Sequence, residues 1–323
     1  MSKRKQEDAG LAAPPAGKAK TTKKPIARYE TTHIANFRAI FELLKDFQPN
    51  VNLHFIAPTD RDAQLKNLPA GIVINAMERS STALVNVTLG IEEINGPNDT
   101  LAIDQTCTSG VPVAQLYNAI LKRVKAENRV VFELFRGGDT LHISVEGSDG
   151  ATIDYQLWQL DIDEECISIP EQAMEHMISL NARAFDEALA TIASTGCDGV
   201  TIECVGDSLQ LSSAGRGVSV MYNLPLRQGE GGGDGGAATA FGRNTYSIRF
   251  VTMFARLHRV AGETPMIMYF GSVEDRNAPQ PLIVEYSIPN FGSIKCCLTP
   301  KCVDDEAPAP GSGGAAEDLL DDD

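Results

Sequence analysis

Apolar residues recur every three or four positions in four separate segments of the chain. In the first of these segments, Phe37, Phe41 and Leu44 fall on one side of a helical projection. This spacing is typical of helices with one buried face, and it predicts four amphipathic helices. They cover residues 34–47, 113–125, 182–194 and 247–259.

Each predicted helix is followed by two runs in which apolar and polar residues alternate, as they do in half-buried β-strands. The runs read GIVINAM and TALVNVTL, VVFELF and TLHISVEG, GVTIECV and SLQLSS, and PMIMYF and PLIVEYSI. Gly206 and Asp207 separate the third pair and predict a tight turn. Four helix-plus-hairpin units predict an α+β fold of two similar domains, each with two helices packed on antiparallel sheets.

The remaining segments divide the chain. Residues 1–29 are rich in Lys, Ala and Pro and predict a disordered basic tail, whereas residues 304–323 predict a disordered acidic tail. Residues 157–173 fit neither period and predict a connector between one domain at 30–156 and another at 174–303. The basic tail is either a solvated arm without a role, or a nuclear-targeting or weak DNA-contacting segment.

Composition narrows the class of protein. The 323 residues include no apolar stretch of the length that crosses a bilayer, and the start of the chain is polar, so we expect no membrane partner. Seven cysteines without CxxC pairs favour reduced thiols in the cytosol or nucleus. The net charge of −15 argues against nucleic acid only if the bases are dispersed.

Bases do recur on the polar faces of three of the four predicted helices. Ordinary solvation explains any one such face, but the repetition favours contacts with DNA phosphates that do not depend on base sequence. The third helix differs, because it carries Asp186 and Glu187. The candidate DNA-binding residues are Arg38, Lys45, Lys122, Arg123, Lys125, Arg249, Arg256 and Arg259.

Reactive groups form no recognisable constellation, so the sequence predicts a protein that is not an enzyme and holds no cofactor or metal. The alternating acids at Asp161 and Asp163 lack the glycine and distal glutamate of a calcium loop. Cys296 and Cys297 are neighbours on a predicted strand and should point to opposite faces, which argues against a shared metal.

Four blocks in order resemble proliferating cell nuclear antigen, the DNA sliding clamp family of eukaryotes and their viruses. The similarity extends over roughly residues 31–306, and its most specific blocks are 70–89, 157–172, 185–215 and 281–306. The resemblance implies a DNA clamp fold in which three copies close a ring by pairing edge strands. It also implies that the helices line the hole, with Arg38, Lys45, Lys122, Arg249 and Arg256 facing DNA.

By the same resemblance, the function is polymerase processivity in DNA replication and repair. The implied partners are double-stranded DNA, a clamp loader, a DNA polymerase and other proteins with a clamp-binding peptide, in the nucleus or at a viral replication site. A hydrophobic pocket would hold the peptide. Its implied residues are Met77, Leu84, Ile167, Ile169, Pro170, Pro281, Cys297, Leu298 and Pro300.

Departures from the family pattern keep a second hypothesis open. The third helix lacks the family's bases at Glu187, Ala190 and Ser194, and Cys296 and Cys297 stand where the family often has aromatic residues. The alternative is a clamp-fold adaptor or transcription factor, monomeric or heteromeric, that does not encircle DNA. An enzyme of unrecognised kind is the third and weakest hypothesis.

Overall fold

Three antiparallel sheets with helices on one face make up the described part of the chain. The computed structural model describes residues 24–59, 68–92, 94, 99–163, 167, 169, 176–214, 217–226, 241–270 and 280–301. The glycine-rich run, the acidic tail and most of the basic tail lie outside these ranges.

The first predicted helix is confirmed, whereas two of the others are irregular. α1 spans Ile34–Phe47. The second helical segment, here called helix two, consists of α2 at Val113–Gln115, a π-helical turn at Leu116–Ile120 and a 3-10 turn at Leu121–Arg123. α3 spans Ala182–Ala193, and α4 and α5 span Ile248–Ala255 and His258–Ala261.

The prediction of one continuous helix over 247–259 is wrong. The chain turns at Arg256 and Leu257, where the amide of Leu257 donates to the Phe254 carbonyl at 3.0 Å instead of reaching one residue further back. This tighter turn buries Leu257 in the core. Helical spacing in the sequence could not reveal the break, because a 3-10 turn places apolar residues at nearly the same intervals.

The strands fall into two similar sets. Those of the first half are β1 Ala27–Thr31, β2 Asn50–Ile56, β3 Gly71–Met77, β4 Ala83–Gly90, β5 Thr100–Ile103, β6 Cys107–Pro112, β7 Arg129–Leu134, β8 Thr140–Glu146 and β9 Thr152–Trp158. Those of the second half are β10 His176–Leu180, β11 Gly199–Val205, β12 Ser208–Ala214, β13 Ser219–Pro225, β14 Phe241–Ser247, β15 Met266–Phe270, β16 Leu282–Ile288 and β17 Gly292–Leu298.

All four predicted hairpins are confirmed, as β3–β4, β7–β8, β11–β12 and β15–β16. β1 begins at Ala27, inside the segment predicted as basic tail, because Ala27 and Tyr29 are buried in the core. Neither β1 nor the other strands between the hairpins were predicted from the sequence.

One sheet joins the two halves of the chain. Its order is β10-β15-β16-β17-β4-β3-β2-β6, so strands of both halves meet where β17 pairs with β4. The other two sheets, β5-β1-β7-β8-β9 and β13-β12-β11-β14, each belong to one half. β9 and β13 are therefore edge strands of these two sheets.

The core lies between the sheets and the helices. In β4, Val85 and Val87 point into the core, whereas Asn86 and Thr88 lie on the opposite face, which we call the outer face. Phe41 of α1 and Phe185 of α3 are fully buried against the sheets, each burial contributing about 1.5–3 kcal/mol of stability.

Candidate functional site

The helices lie side by side in one layer over the sheets. Helix two packs beside α1, α1 packs beside α5, and α3 packs against α4 and α5. Their polar sides therefore form one continuous surface, called here the helical surface. Every predicted DNA-binding residue is on an element of this layer or within two residues of its end.

Six of the eight predicted bases are exposed on the helical surface. Lys122 and Arg123 end helix two, and neither makes an ion pair within the described part of the chain. Lys125 lies two residues beyond the end of helix two, with its Nζ 4.0 Å from a Glu127 carboxyl oxygen. The exposed bases on the α4–α5 side are Arg249, Arg256 and Arg259.

Arg38 and Lys45 are placed differently from the other six. The Arg38 Nε donates to the Leu121 carbonyl at 3.1 Å, and its Nη2 donates to the Val124 carbonyl. The Lys45 Nζ lies 5.0 Å from the centre of the Tyr117 ring. The seven-residue spacing puts both bases on one side of α1, as predicted, and that side packs against helix two.

Acidic groups interrupt the bases where the two halves meet. A cleft between α1 and α4–α5 is lined by Glu42 and Asp46 together with Arg256 and Arg259. Since both signs of charge line it, this part of the helical surface attracts phosphate less than the basic end of helix two.

The exposed face of α3 carries two acids and one base. The Arg183 Nε lies 3.0 Å from a Glu187 carboxyl oxygen, so the one base is already paired within the helix. Asp186 lies 3.6 Å from the His258 Nδ1, which is also 3.0 Å from the Ala255 carbonyl. This face therefore presents no unpaired base of its own among the described residues.

A row of six side chains crosses the outer face of the eight-stranded sheet. Cross-strand pairing follows the order Met77, Leu84, Cys297, Ile283, Tyr269 and Met177. Leu84 and Ile283 are buried, whereas Met177 is exposed and the others are half-buried. We call this set the outer row; it includes Met77, Leu84 and Cys297 of the predicted pocket.

The other predicted pocket residues are spread around the outer row. Pro281 and Pro300 flank the ends of β16 and β17 and are half-buried. Ile169 of the connector is half-buried and Ile167 is exposed. Leu298 is only 1% exposed, because it points to the core side of β17, opposite to Cys297. Pro170 lies outside the described residues.

Two backbone anchors frame the outer face. The connector begins against β6 and β2, where the Leu160 amide donates to the Gly110 carbonyl at 2.8 Å and the Asn52 Nδ2 donates to the Ile162 carbonyl at 3.1 Å. A side chain at Gly110 would collide with the Leu160 carbonyl, since its Cβ would lie 2.2 Å from that oxygen.

The second anchor is the segment after β17. The Thr299 amide donates to the Thr82 carbonyl at 2.8 Å, and the Lys301 amide donates to the Thr245 carbonyl at 2.7 Å. This segment therefore joins the β3–β4 turn of the first half to β14 of the second half, with Pro300 between the two hydrogen bonds.

The outer row is mostly apolar. Burial raises the pKa of the Cys297 thiol to about 11, so this thiol is protonated at neutral pH and behaves as a small apolar group. Cys296 points to the opposite face, which confirms the predicted divergence of the two thiols. Among the described residues, no three His, Cys, Asp or Glu side chains are grouped as metal ligands.

The helices themselves show no membrane-spanning element. Among the described residues, no helix combines the length and the apolar composition that crossing a bilayer requires.

The edge strands β9 and β13 contain none of the site residues predicted from the sequence. On the helix-covered face, β9 presents Ile153 and Tyr155, and β13 presents Val220 and Tyr222. Ile153 is 53% exposed and Tyr222 37% exposed, which is unusual for apolar side chains on the covered side of a sheet. The alternation in TIDYQLW and SVMYNL was the available signal.

Helices on one face of three antiparallel sheets, with one sheet continuous across two similar halves, define the fold of the DNA sliding clamps. The chain is similar to the crystal structure of Proliferating Cellular Nuclear Antigen from Entamoeba histolytica, with a TM-score of 0.67 over 86% of this chain and 100% of that chain. The two sequences are 18% identical, so this likeness establishes the clamp fold alone. No protein-family model matches the chain.

Proposed function

We propose that this protein is a DNA sliding clamp. Three copies close a ring around duplex DNA, the helical surface lines the hole, and the outer face recruits replication and repair proteins. A clamp loader opens the ring, and a DNA polymerase is one of the proteins that bind it, in the nucleus or at a viral replication site. The protein is a platform for enzymes and has no catalytic role of its own.

The observation that carries this proposal is the pair of edge strands. β9 and β13 each contain seven residues, and within the described part of the chain each leaves one side of its backbone unpaired. An open edge beside exposed apolar side chains is a template for pairing with another chain. Because one edge comes from each half, β9 of one copy can pair with β13 of the next. Such head-to-tail pairing gives a ring when the rotation closes.

The helical surface supports the same proposal. Among the described residues, Lys122 and Arg123 at the end of helix two and the bases on the α4–α5 side form no ion pair, and they suit phosphates rather than base edges. A ring holds DNA by enclosing it, so its phosphate contacts can remain weak. We expect binding to open linear duplexes to be weak and to be lost as salt rises.

Assembly is tested by placing a charge on the edge. We expect the wild-type chain to scatter light as a particle near three times 34.7 kDa, and the Ile153→Lys variant to shift towards 34.7 kDa on dilution. Met177→Lys is the matched control, because Met177 is also 53% exposed but belongs to β10 of another sheet. The control should keep the wild-type mass.

A wild-type mass near 34.7 kDa at every concentration would contradict the homotrimer. If the trimer forms, loading onto nicked circular DNA is the next measurement. Rings that encircle the duplex should stay on the circle and be released when a nuclease linearises it, whereas a protein bound only to phosphates should remain after linearisation at low salt.

A second candidate function is a clamp-fold adaptor or transcription factor that does not encircle DNA, either as a monomer or within a heteromer. The observation in its favour is the exposed face of α3, where two acids and one paired base replace a basic stripe. This alternative would be supported if the protein remained on the DNA after the circle was linearised. A stable monomer that fails to stimulate a polymerase would also support it.

The peptide-binding part of the proposal concerns the outer row. We expect a short peptide with aromatic and aliphatic side chains to bind there and to lose at least about tenfold in affinity in Met77→Lys, because a charge would enter its apolar contact. Thr88→Lys is the control, since Thr88 lies on the same outer face but on the β4 segment away from the row. Equal peptide affinity in both folded variants would exclude the outer row.

A further inference from the structure

The contacts of Arg38 set it apart from the other candidate bases. Arg38 is half-buried on α1, and two of its guanidinium nitrogens donate to backbone carbonyls of the neighbouring helix. The acceptors belong to Leu121 and Val124, on either side of Lys122 and Arg123. A guanidinium has a rigid fork of donors, so it can engage two carbonyls in one fixed arrangement.

The end of helix two, which accepts these hydrogen bonds, is irregular and has carbonyls without partners inside the helix. Helix two changes from α to π to 3-10 within eleven residues, and Val124 is already extended, with ψ at 130°. The last carbonyls of a helix lack partners within the helix, and a cation near them is also favoured by the helix dipole. The Leu121 carbonyl also accepts from the Val124 amide, at 3.3 Å.

The neighbouring side chains of α1 hold the same helix. Lys45 lies over the Tyr117 ring, with its Nζ 5.0 Å from the ring centre. Burial raises the pKa of Tyr117, and the charge of Glu42 raises it further. One side of α1, with Arg38, Glu42 and Lys45, therefore contacts helix two at two places. Lys45 contacts it at Tyr117, and Arg38 contacts its end.

We propose that Arg38 is a positioning residue that fixes the basic end of helix two, Lys122, Arg123 and Lys125, for contact with DNA phosphates. This inference rests on the proposed function. The Arg38 guanidinium serves the interface through the backbone it holds, while Lys122 and Arg123 supply the charges that meet the phosphates.

Two variants of Arg38 separate positioning from direct contact. Arg38→Met keeps the aliphatic stem and removes every donor, whereas Arg38→Lys keeps the charge and loses the fork. Lysine binds a phosphate as well as arginine does when only a point charge is needed. A positioning role therefore predicts that Arg38→Lys resembles Arg38→Met, and a direct contact predicts that it resembles the wild type.

The first readout needs no DNA. Hydrogen exchange of the amides at 121–128 should become about tenfold faster or more in both Arg38 variants, because hydrogen bonds to a charged donor are among the stronger ones. Arg123→Gln is the control and should leave this exchange unchanged, since Arg123 is exposed and makes no ion pair within the described residues.

The second readout is the salt dependence of binding to a linear duplex, followed by fluorescence anisotropy at low salt. Arg123→Gln should lower the slope of log affinity against log salt by about 0.9, the loss of one phosphate contact. Both Arg38 variants should lower it by more than this, because several contacts are lost together.

The outcomes distinguish the two proposals. Wild-type exchange in Arg38→Met, or wild-type duplex binding in Arg38→Lys, would overturn the positioning role while leaving the clamp intact. A wild-type protein that binds no linear duplex at low salt would overturn the DNA part of this inference, and one that is also not retained on nicked circular DNA would overturn the proposed function. The exchange measurement would in either case show whether Arg38 holds helix two.

Discussion

The two helix pairs occupy the same place on the two halves of the fold but carry their charges differently. In the first half, α1 is fastened to its neighbour through Arg38 and Lys45, and the unpaired bases lie at the end of helix two. In the second half, α3 carries a paired base and two acids, and the exposed bases lie on the α4–α5 side.

This difference shows that the fold repeats and the charge pattern does not. In each half, one helical element carries exposed bases: helix two in the first half and α4–α5 in the second. The charged side chains of the other element, α1 or α3, mostly contact other groups of the chain. A duplex against the helical surface would therefore meet two basic regions in each copy, separated by the acids of α1 and α3. Variants that remove a basic region, or that create one, measure this arrangement directly.

The largest effect is expected from removing the basic end of helix two. Replacing Lys122, Arg123 and Lys125 together by Gln should lower the salt slope of duplex binding by roughly 1–3, since each phosphate contact accounts for about 0.9. Anisotropy titrations between low and moderate salt measure the slope. The fold should be unaffected, because all three side chains are exposed.

A second triple variant with the same loss of charge tests whether the effect depends on where the bases lie. Arg79, Arg136 and Arg243 are also exposed, but they lie on turns and strands rather than on the helices. Replacing these three by Gln removes the same total charge and should leave the slope within about 0.9 of the wild type. Equal losses in the two triple variants would mean that only overall charge matters.

The two helix pairs also show how far sequence patterns reach. The buried faces of α1 and α3 were predicted correctly, because apolar spacing is a local property that packing preserves. The break at Arg256 and the π turn of helix two were not predicted, because both depend on how the helix end meets its neighbours. The role that we propose for Arg38 depends on a carbonyl 83 residues away in the chain.

In the sheets as well, local pairings were predicted from the sequence and long-range pairings were not. Hairpins were predicted because their strands are adjacent in sequence, whereas the β17–β4 pairing joins strands from the two halves of the chain and leaves no local mark. The family resemblance indicated Met77, Leu84 and Cys297, which the structure brings into one row. It also indicated Leu298, whose side chain points into the core.

A smaller effect is expected from making α3 resemble the basic elements. Glu187→Lys removes one acid and adds one base on an exposed position of α3, and it frees Arg183 from its ion pair. If the duplex passes along the whole helical surface, affinity should rise and the salt slope should steepen by up to about 0.9 for each base that gains a phosphate. The stability of the fold should change little, since an exposed ion pair of this kind contributes about 0.3–0.5 kcal/mol.

The control for this gain is Ser287→Lys, which adds a base on the exposed outer face of β16. A general attraction between a more basic protein and DNA would raise affinity in both variants, whereas a duplex inside the ring would respond to position 187 alone. If Glu187→Lys leaves both affinity and slope unchanged while the helix-two triple variant lowers them, the duplex does not lie against α3. The phosphate contacts of each copy would then be confined to helix two and the α4–α5 side, and the acids of α3 would mark the part of the channel wall that the DNA does not touch.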